Sequence, residues 1–194
     1  GQNGAGKSFT MLGEKNNLGV QPRAINEIFR IIDRDHERYR FTVKCYMLEL
    51  YRGKIIDLLA DEKINYSKIL AKRNAKGVVD VSGATTKHVT NAKELQALID
   101  LGTHNRHVAA TNMNVQSSRS HLIMAVIVES ENLKTKVATL GKLSLIDLVG
   151  WVSQKNTGAP GENLKEVQAT NKSLTALENV IHALTAKNSG GHIP

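Results

Sequence analysis

Cysteine is almost missing from these 194 residues: Cys45 is the single one, so no disulfide can close within the sequence. A reducing, cytosolic setting is the simplest reading of that shortage. Aromatic residues make up only 4% of the chain, thin for a protein that stacks single-stranded bases, although phosphate contacts need no aromatics. No apolar run approaches the roughly 18–20 residues that cross a bilayer as a helix. Internal repeats and low-complexity tracts are missing too. What is left is 41% hydrophobic and 23% charged, the balance of a globular chain, long enough for one core-bearing domain and too short for two. The formal charge of +8 favours an acidic partner without choosing among nucleic acid, membrane and protein surface.

Strand-like and helix-like segments alternate, which predicts an α/β layer architecture. Pro22 suits the first turn of a helix whose Ile25, Ile28, Phe29 and Ile32 share one face. Phe41, Val43, Cys45 and Met47 alternate as a strand that continues through Leu50, with Cys45 read as a small buried hydrophobe. Asn91 and Glu94 form a capping box before Leu95, Leu98 and Ile99. Two strands follow, around Leu122–Val128 and Leu143–Leu148, joined through the polar stretch Glu131–Lys136. The longest helix candidate carries Leu164, Val167, Asn171, Leu174, Leu177, Ile181 and Leu184 at helical spacing. Tyr66–Lys76 and Val149–Gly161 read as loops.

Chemistry enters at the first residue. Gly1, Gln2, Asn3, Gly4, Ala5, Gly6, Lys7 and Ser8 match G-x-x-x-x-G-K-[ST] and lead through Phe9 into a helix. The glycines let backbone N–H groups turn around phosphate oxygens, Lys7 reaches the β- and γ-phosphates, and Ser8 ligates Mg²⁺. A second block, Asn114 to His121, sets Ser117, Ser118 and Ser120 around Arg119, donors able to hold Mg²⁺ and report on a γ-phosphate. A third, Asp147-Leu148-Val149-Gly150, offers a carboxylate for the Mg²⁺ shell and a glycine N–H for the γ-phosphate. Each of the last two is weak alone, and the order of all three is specific.

In that order the blocks resemble the P-loop, switch I and switch II of the kinesin motor domain, and the segment Leu164–Leu177 resembles its microtubule-binding helix. Tyr46–Tyr51, Ile56–Leu59 and His192-Ile193-Pro194 extend the likeness over the whole chain. Met47–Tyr51, Ser120–Ile123 and Gly141–Ser144 resemble most the minus-end-directed, C-terminal-motor kinesins, especially the calmodulin-binding group. The resemblance implies an ATPase of P-loop α/β fold, with a central β-sheet flanked by helices. Residue 1 already lies inside a motif that should follow a strand, so the expectation is a motor domain truncated at both ends. ATP and Mg²⁺ would be held by Gly1–Phe9 with Asn114; Ser117, Ser118, Arg119, Asp147 and Gly150 would act in catalysis; and Ser8, Ser118 and Asp147 would surround the metal. Lys155, Lys165 and Lys172 would face acidic tubulin. Implied partners are the microtubule and, through a segment outside these residues, calmodulin; nucleic acid and membrane are not expected. The implied location is the cytoplasmic cytoskeleton.

One stretch departs from the family. Where kinesins read Asp-Leu-Ala-Gly-Ser-Glu-Arg, this chain has Asp147, Leu148, Val149, Gly150, Trp151, Val152 and Ser153, and the register resumes at Thr157-Gly158-Ala159. The family's glutamate pairs with the arginine that aligns with Arg119, so Val152 is expected to leave that guanidinium without its carboxylate. Trp151 is expected to crowd the γ-phosphate, and lost water positioning costs roughly 10²–10⁴ in rate. Slow hydrolysis, or a non-motile module gated by nucleotide, follows. A GTPase is disfavoured because no Asn-Lys-x-Asp motif occurs. His104 and His107, three apart, lack a third ligand and read as solvated or core histidines, and His121 as structural.

Overall fold

The computed structural model describes residues 2, 4–60, 69–73, 79–112, 119–151 and 162–185. Its elements run α1 (Lys7–Leu12), β1 (Gly13–Glu14), β2 (Asn17–Leu18), α2 (Val20–Asp35), β3 (Tyr39–Tyr51), β4 (Lys54–Asp57), β5 (Leu70–Arg73), β6 (Val79–Ser82), β7 (Lys87–Val89), α3 (Ala92–Asn112), β8 (His121–Asn132), β9 (Ala138–Asp147) and α4 (Glu162–Thr185). The central sheet is antiparallel and ordered β4-β3-β8-β9, with β7 also paired to β3. All of its neighbouring strands pair antiparallel, as hairpin-type connections allow.

Strand β3 has both faces covered, which is why its sequence drifts from alternation into a continuous apolar run. On one face Val43, Cys45 and Met47 meet Leu122, Met124 and Val126 of β8, together with Ile25 and Phe29 of α2 and Leu95 and Ile99 of α3. On the other, Tyr46 and Leu48 pack with Ala125 and Ile69. Cys45 is 2% exposed, and burial pushes its thiol up to about 11.

Helix α2 has Pro22 in its first turn, as its sequence predicts. Asn91 caps α3, its side-chain oxygen accepting from Glu94 N at 3.0 Å. The reciprocal half of the box is shifted by one residue: the Glu94 carboxylate accepts from Thr90 N at 2.7 Å and from the Thr90 hydroxyl at 3.0 Å. Between α1 and α2 the chain reverses in the small β1–β2 hairpin, which has no signal in the sequence. Gly13, at φ 76°, is obligatory there because an added Cβ would lie 2.2 Å from Asn17 O.

The segment Tyr66–Lys76, read as a loop, contains β5, which pairs with β6 from Leu70 opposite Ser82 to Arg73 opposite Val79. All four residues of β5 are exposed, so no apolar alternation marks them. The hairpin is fastened through Ile69 and Val81, which pack at the sheet, and through Lys142, whose Nζ donates to Val79 O at 2.7 Å. Replacing the fully buried Leu95 by Ala in the natural full-length chain is expected to cost about 2–5 kcal/mol. Asn91→Ala should cost about 1 kcal/mol, through the lost cap. Denaturant unfolding of both variants checks the order.

Candidate functional site

Two glycines shape the first turn. Gly4 and Gly6 have φ of 80° and 78°, in the left-handed region that costs glycine nothing, and nothing lies within 4 Å of where their Cβ atoms would sit. The chain therefore turns beside open space before entering α1, whose first residues are Lys7 and Ser8. The Lys7 ammonium folds back over the turn and donates to Gln2 O at 2.8 Å. Ser8 Oγ donates to Asp147 Oδ2 at 2.7 Å, across 139 residues of sequence. The other carboxylate oxygen, Oδ1, is buried with no hydrogen-bond partner among the described residues, a cost that a bound cation or its water would remove.

A cavity of about 380 Å³ opens at this point, walled by the turn and Lys7–Phe9 on one side and by Asp147–Gly150 on the other. Arg106 and Ser120 close its floor. Gln2 bridges Trp151 in parallel, so the two walls are joined by backbone as well. Of the residues expected at the site, Gly4, Gly6, Lys7, Ser8, Phe9, Asp147 and Gly150 line the cavity. Gln2 and Ala5 belong to the turn beneath it, where Ala5 N donates to Gln2 O at 3.3 Å. Gly1, Asn3, Asn114, Ser117, Ser118 and Lys155 lie outside the described residues. Lys165 and Lys172 are exposed on α4, and among the described residues no group of histidines, cysteines and carboxylates forms a metal cluster.

Two expectations need correcting. Arg119 has a carboxylate: its Nη1 donates to Oε2 of the buried Glu166 on α4, while Tyr51 Oη donates to Oε1 of the same group at 2.8 Å. The pairing was hidden because 47 residues separate the two partners, and only the docking of α4 joins them. Burial first, and the Glu166 hydrogen bond second, push the Tyr51 hydroxyl up to about 12. Trp151, expected to crowd the phosphates, instead lines an adjoining groove, half-exposed, with Leu148, Leu174, Leu177, Glu178 and Ile181. An indole gains more from that apolar helix face than from a polar cavity.

Sequence reading also missed the cavity floor. Arg106 donates from Nε to Glu49 Oε1 at 3.1 Å, and from Nη2 to Ser120 O at 3.1 Å and Ser120 Oγ at 3.0 Å. Ser120 Oγ in turn donates to Glu49. Glu49 is 3% exposed, and these donors supply the hydrogen bonds that a buried carboxylate needs. No motif marks Arg106; its place in line with the buried Leu95, Ile99 and Gly102 of α3 is the single hint.

His121 ties the cavity wall to α4. Its Nδ1 accepts from Val149 N at 3.3 Å, which leaves Nε2 to donate to Ser173 Oγ at 2.8 Å. Ser173 Oγ donates to Thr170 O at 2.6 Å, and Thr170 Oγ1 donates to Arg119 O at 3.4 Å.

The fold is thus a central antiparallel sheet flanked by helices, with a glycine turn facing an Asp-x-x-Gly strand end. The chain belongs to the kinesin motor domain family, whose model matches residues 1–194. Within that family it is 48% identical over 194 residues to the kinesin-like protein KIN-14I of Oryza sativa subsp. japonica, covering 100% of this chain and 15% of that protein. A solved structure described as a fast kinesin matches with a TM-score of 0.86 at 37% identity, over 100% of this chain and 55% of the other. The C-terminal motor and motor homology domain of Kar3Vik1, fused to a synthetic coiled coil, matches at 0.84 and 30%, over 100% and 49%. The chain thus spans about half of those solved motor chains and a small part of the rice protein.

Burial, then the nearby Arg106 charge, lowers the His121 pKa below its ordinary value. A base whose folded pKa is depressed takes up its proton more readily when unfolded. Its contribution to stability is therefore complete above about pH 6.5 and is lost as the pH falls below that. The stability of the natural chain should drop as the pH falls below about 6.5, and His121→Gln should flatten the drop. Urea midpoints across that range, for both proteins, measure it.

Proposed function

We propose that this chain forms the nucleotide- and track-binding part of an ATP-driven microtubule motor of the cytoskeleton. The Ser8–Asp147 contact carries the reading: it joins a phosphate-type turn to the end of a distant strand, around a cavity of nucleotide size. Lys7 would neutralise the β- and γ-phosphates, and the N–H groups at Gly4 and Gly6 would face their oxygens. The donor set fits Mg²⁺, since hydroxyl and carboxylate oxygens suit a hard cation and Asp147 Oδ1 is buried without a partner among the described residues. Ser8 and Asp147 would hold it, with Ser118 as a third candidate. When bound, the ion supplies charge neutralisation on the β- and γ-oxygens. Gly150 and Arg119 would respond to the γ-phosphate, and the exposed Lys165 and Lys172 would meet acidic tubulin, joined by Lys155. The relatives' descriptions, which speak of kinesins, an ATPase mechanism and microtubules, support the same assignment. The expected calmodulin partner forms no part of it.

Trp151, Val152 and Ser153 favour a second reading, a nucleotide-gated microtubule binder that turns over slowly. Steric crowding by Trp151 no longer supports that idea; the missing switch II carboxylate at Val152 still does. Lys7→Ala should abolish nucleotide binding, read by fluorescent ADP titration. Phosphate release by the natural full-length chain, with and without microtubules, should be slow and rise roughly 10²-fold or more in a Trp151→Ser/Val152→Glu double variant. A natural chain already strongly stimulated by microtubules would show an ordinary motor instead.

A further inference from the structure

Helix α4 meets the rest of the molecule through the fully buried Val167 and through a row of polar contacts, while the far end of its apolar stripe stays exposed. Leu177, Ile181 and Leu184 are 38%, 52% and 64% exposed, whereas Glu166 and Thr170 are 3% and 5% exposed. Glu166, Thr170 and Ser173 stand at i, i+4 and i+7, one face of the helix. That face lies on residues 119–121: Glu166 takes Arg119 Nη1, Thr170 takes the Arg119 carbonyl, and Ser173 takes His121. The residue between them, Ser120, is in the cavity wall and is held by Arg106. A tilt of α4 therefore reaches the cavity through two or three polar bonds.

We propose that Glu166 is a positioning residue, acting through Arg119 and Tyr51, that couples the state of the nucleotide cavity to the orientation of the track-binding helix. The inference rests on the motor reading above and assigns the coupling to one carboxylate. Glu166 suits the role chemically because each of its oxygens has a different creditor: Oε2 holds a guanidinium at the head of β8, and Oε1 holds the phenol at the end of β3. A carboxylate shared in this way fixes three elements at one point, and it is buried, so salt and solvent do not dilute the interaction. It also gives Arg119 a charge partner that does not depend on the altered stretch Trp151–Ser153, so coupling can persist where hydrolysis has slowed.

The test reads coupling directly, as the ratio of microtubule dissociation constants measured with ADP and with a non-hydrolysable ATP analogue. The natural full-length chain, Glu166→Gln and Tyr51→Phe are compared by co-sedimentation, and fluorescent ADP affinity serves as the control on the cavity. Coupling energies of this kind correspond to about 5- to 150-fold changes in affinity. Glu166→Gln should bring the ratio close to one while ADP affinity stays within about threefold, and Tyr51→Phe, which removes one hydrogen bond, should lower it by about two- to tenfold. An unchanged ratio in both variants overturns the proposal. If Glu166→Gln does not fold, Tyr51→Phe decides alone. A natural chain that binds neither nucleotide nor microtubules instead defeats the motor reading, a result distinct from uncoupling in a variant.

Discussion

Twelve residues of β3 lie opposite twelve of β8, from Tyr39 beside Asn132 to Leu50 beside His121. That ladder is what everything else hangs from. Its upper end places Glu49 opposite Leu122 and leaves Ser120 and Arg119 emerging just beyond the last pair, where Arg106 and α4 can reach them. A slip of one residue would turn every side chain to the opposite face and would point Glu49 away from its arginine. The register is protected from such a slip because both faces are buried, by α2 and α3 on one side and by Ile69 with its hairpin on the other.

Some charged side chains lie inside, near the cavity. Two arginine–carboxylate pairs, Arg106–Glu49 and Arg119–Glu166, are mostly removed from water, with carboxylate side chains 4% and 5% exposed. Buried pairs of this kind add little net stability compared with apolar replacements, yet losing one partner costs about 3–5 kcal/mol. Their presence is better explained by geometry than by stability. Each pair joins elements far apart in sequence, Arg106 of α3 to Glu49 of β3 and Arg119 beside β8 to Glu166 of α4.

Much of this arrangement was legible beforehand, and unevenly. The periodic segments stood out because burial imposes a period: β3, β8, α2 and α4 appear close to where Phe41–Leu50, Leu122–Val128, Ile25–Ile32 and Leu164–Leu184 placed them. The glycine turn and Asp147 were readable because their chemistry demands fixed spacing. Hairpin β5–β6 was not, since exposed strands carry no alternation. The partners of Arg119 and Arg106 were equally silent, because 47 and 57 residues lie between them and the carboxylates they meet. Trp151 misled for a related reason. Its neighbours in sequence belong to the cavity, while its side chain answers to α4.

The isolated thiol under α2 and α3 has a practical side. Cys45 sits in a closed apolar core, and its proton is held so firmly that almost no thiolate forms at neutral pH. Maleimides and other electrophiles would pass it by while the core stays folded. These 194 residues therefore offer a background already silent to thiol chemistry. A cysteine introduced on the exposed face of α4 would be the reactive one, and a dye attached there could report the helix's movement without any native residue having to be removed first.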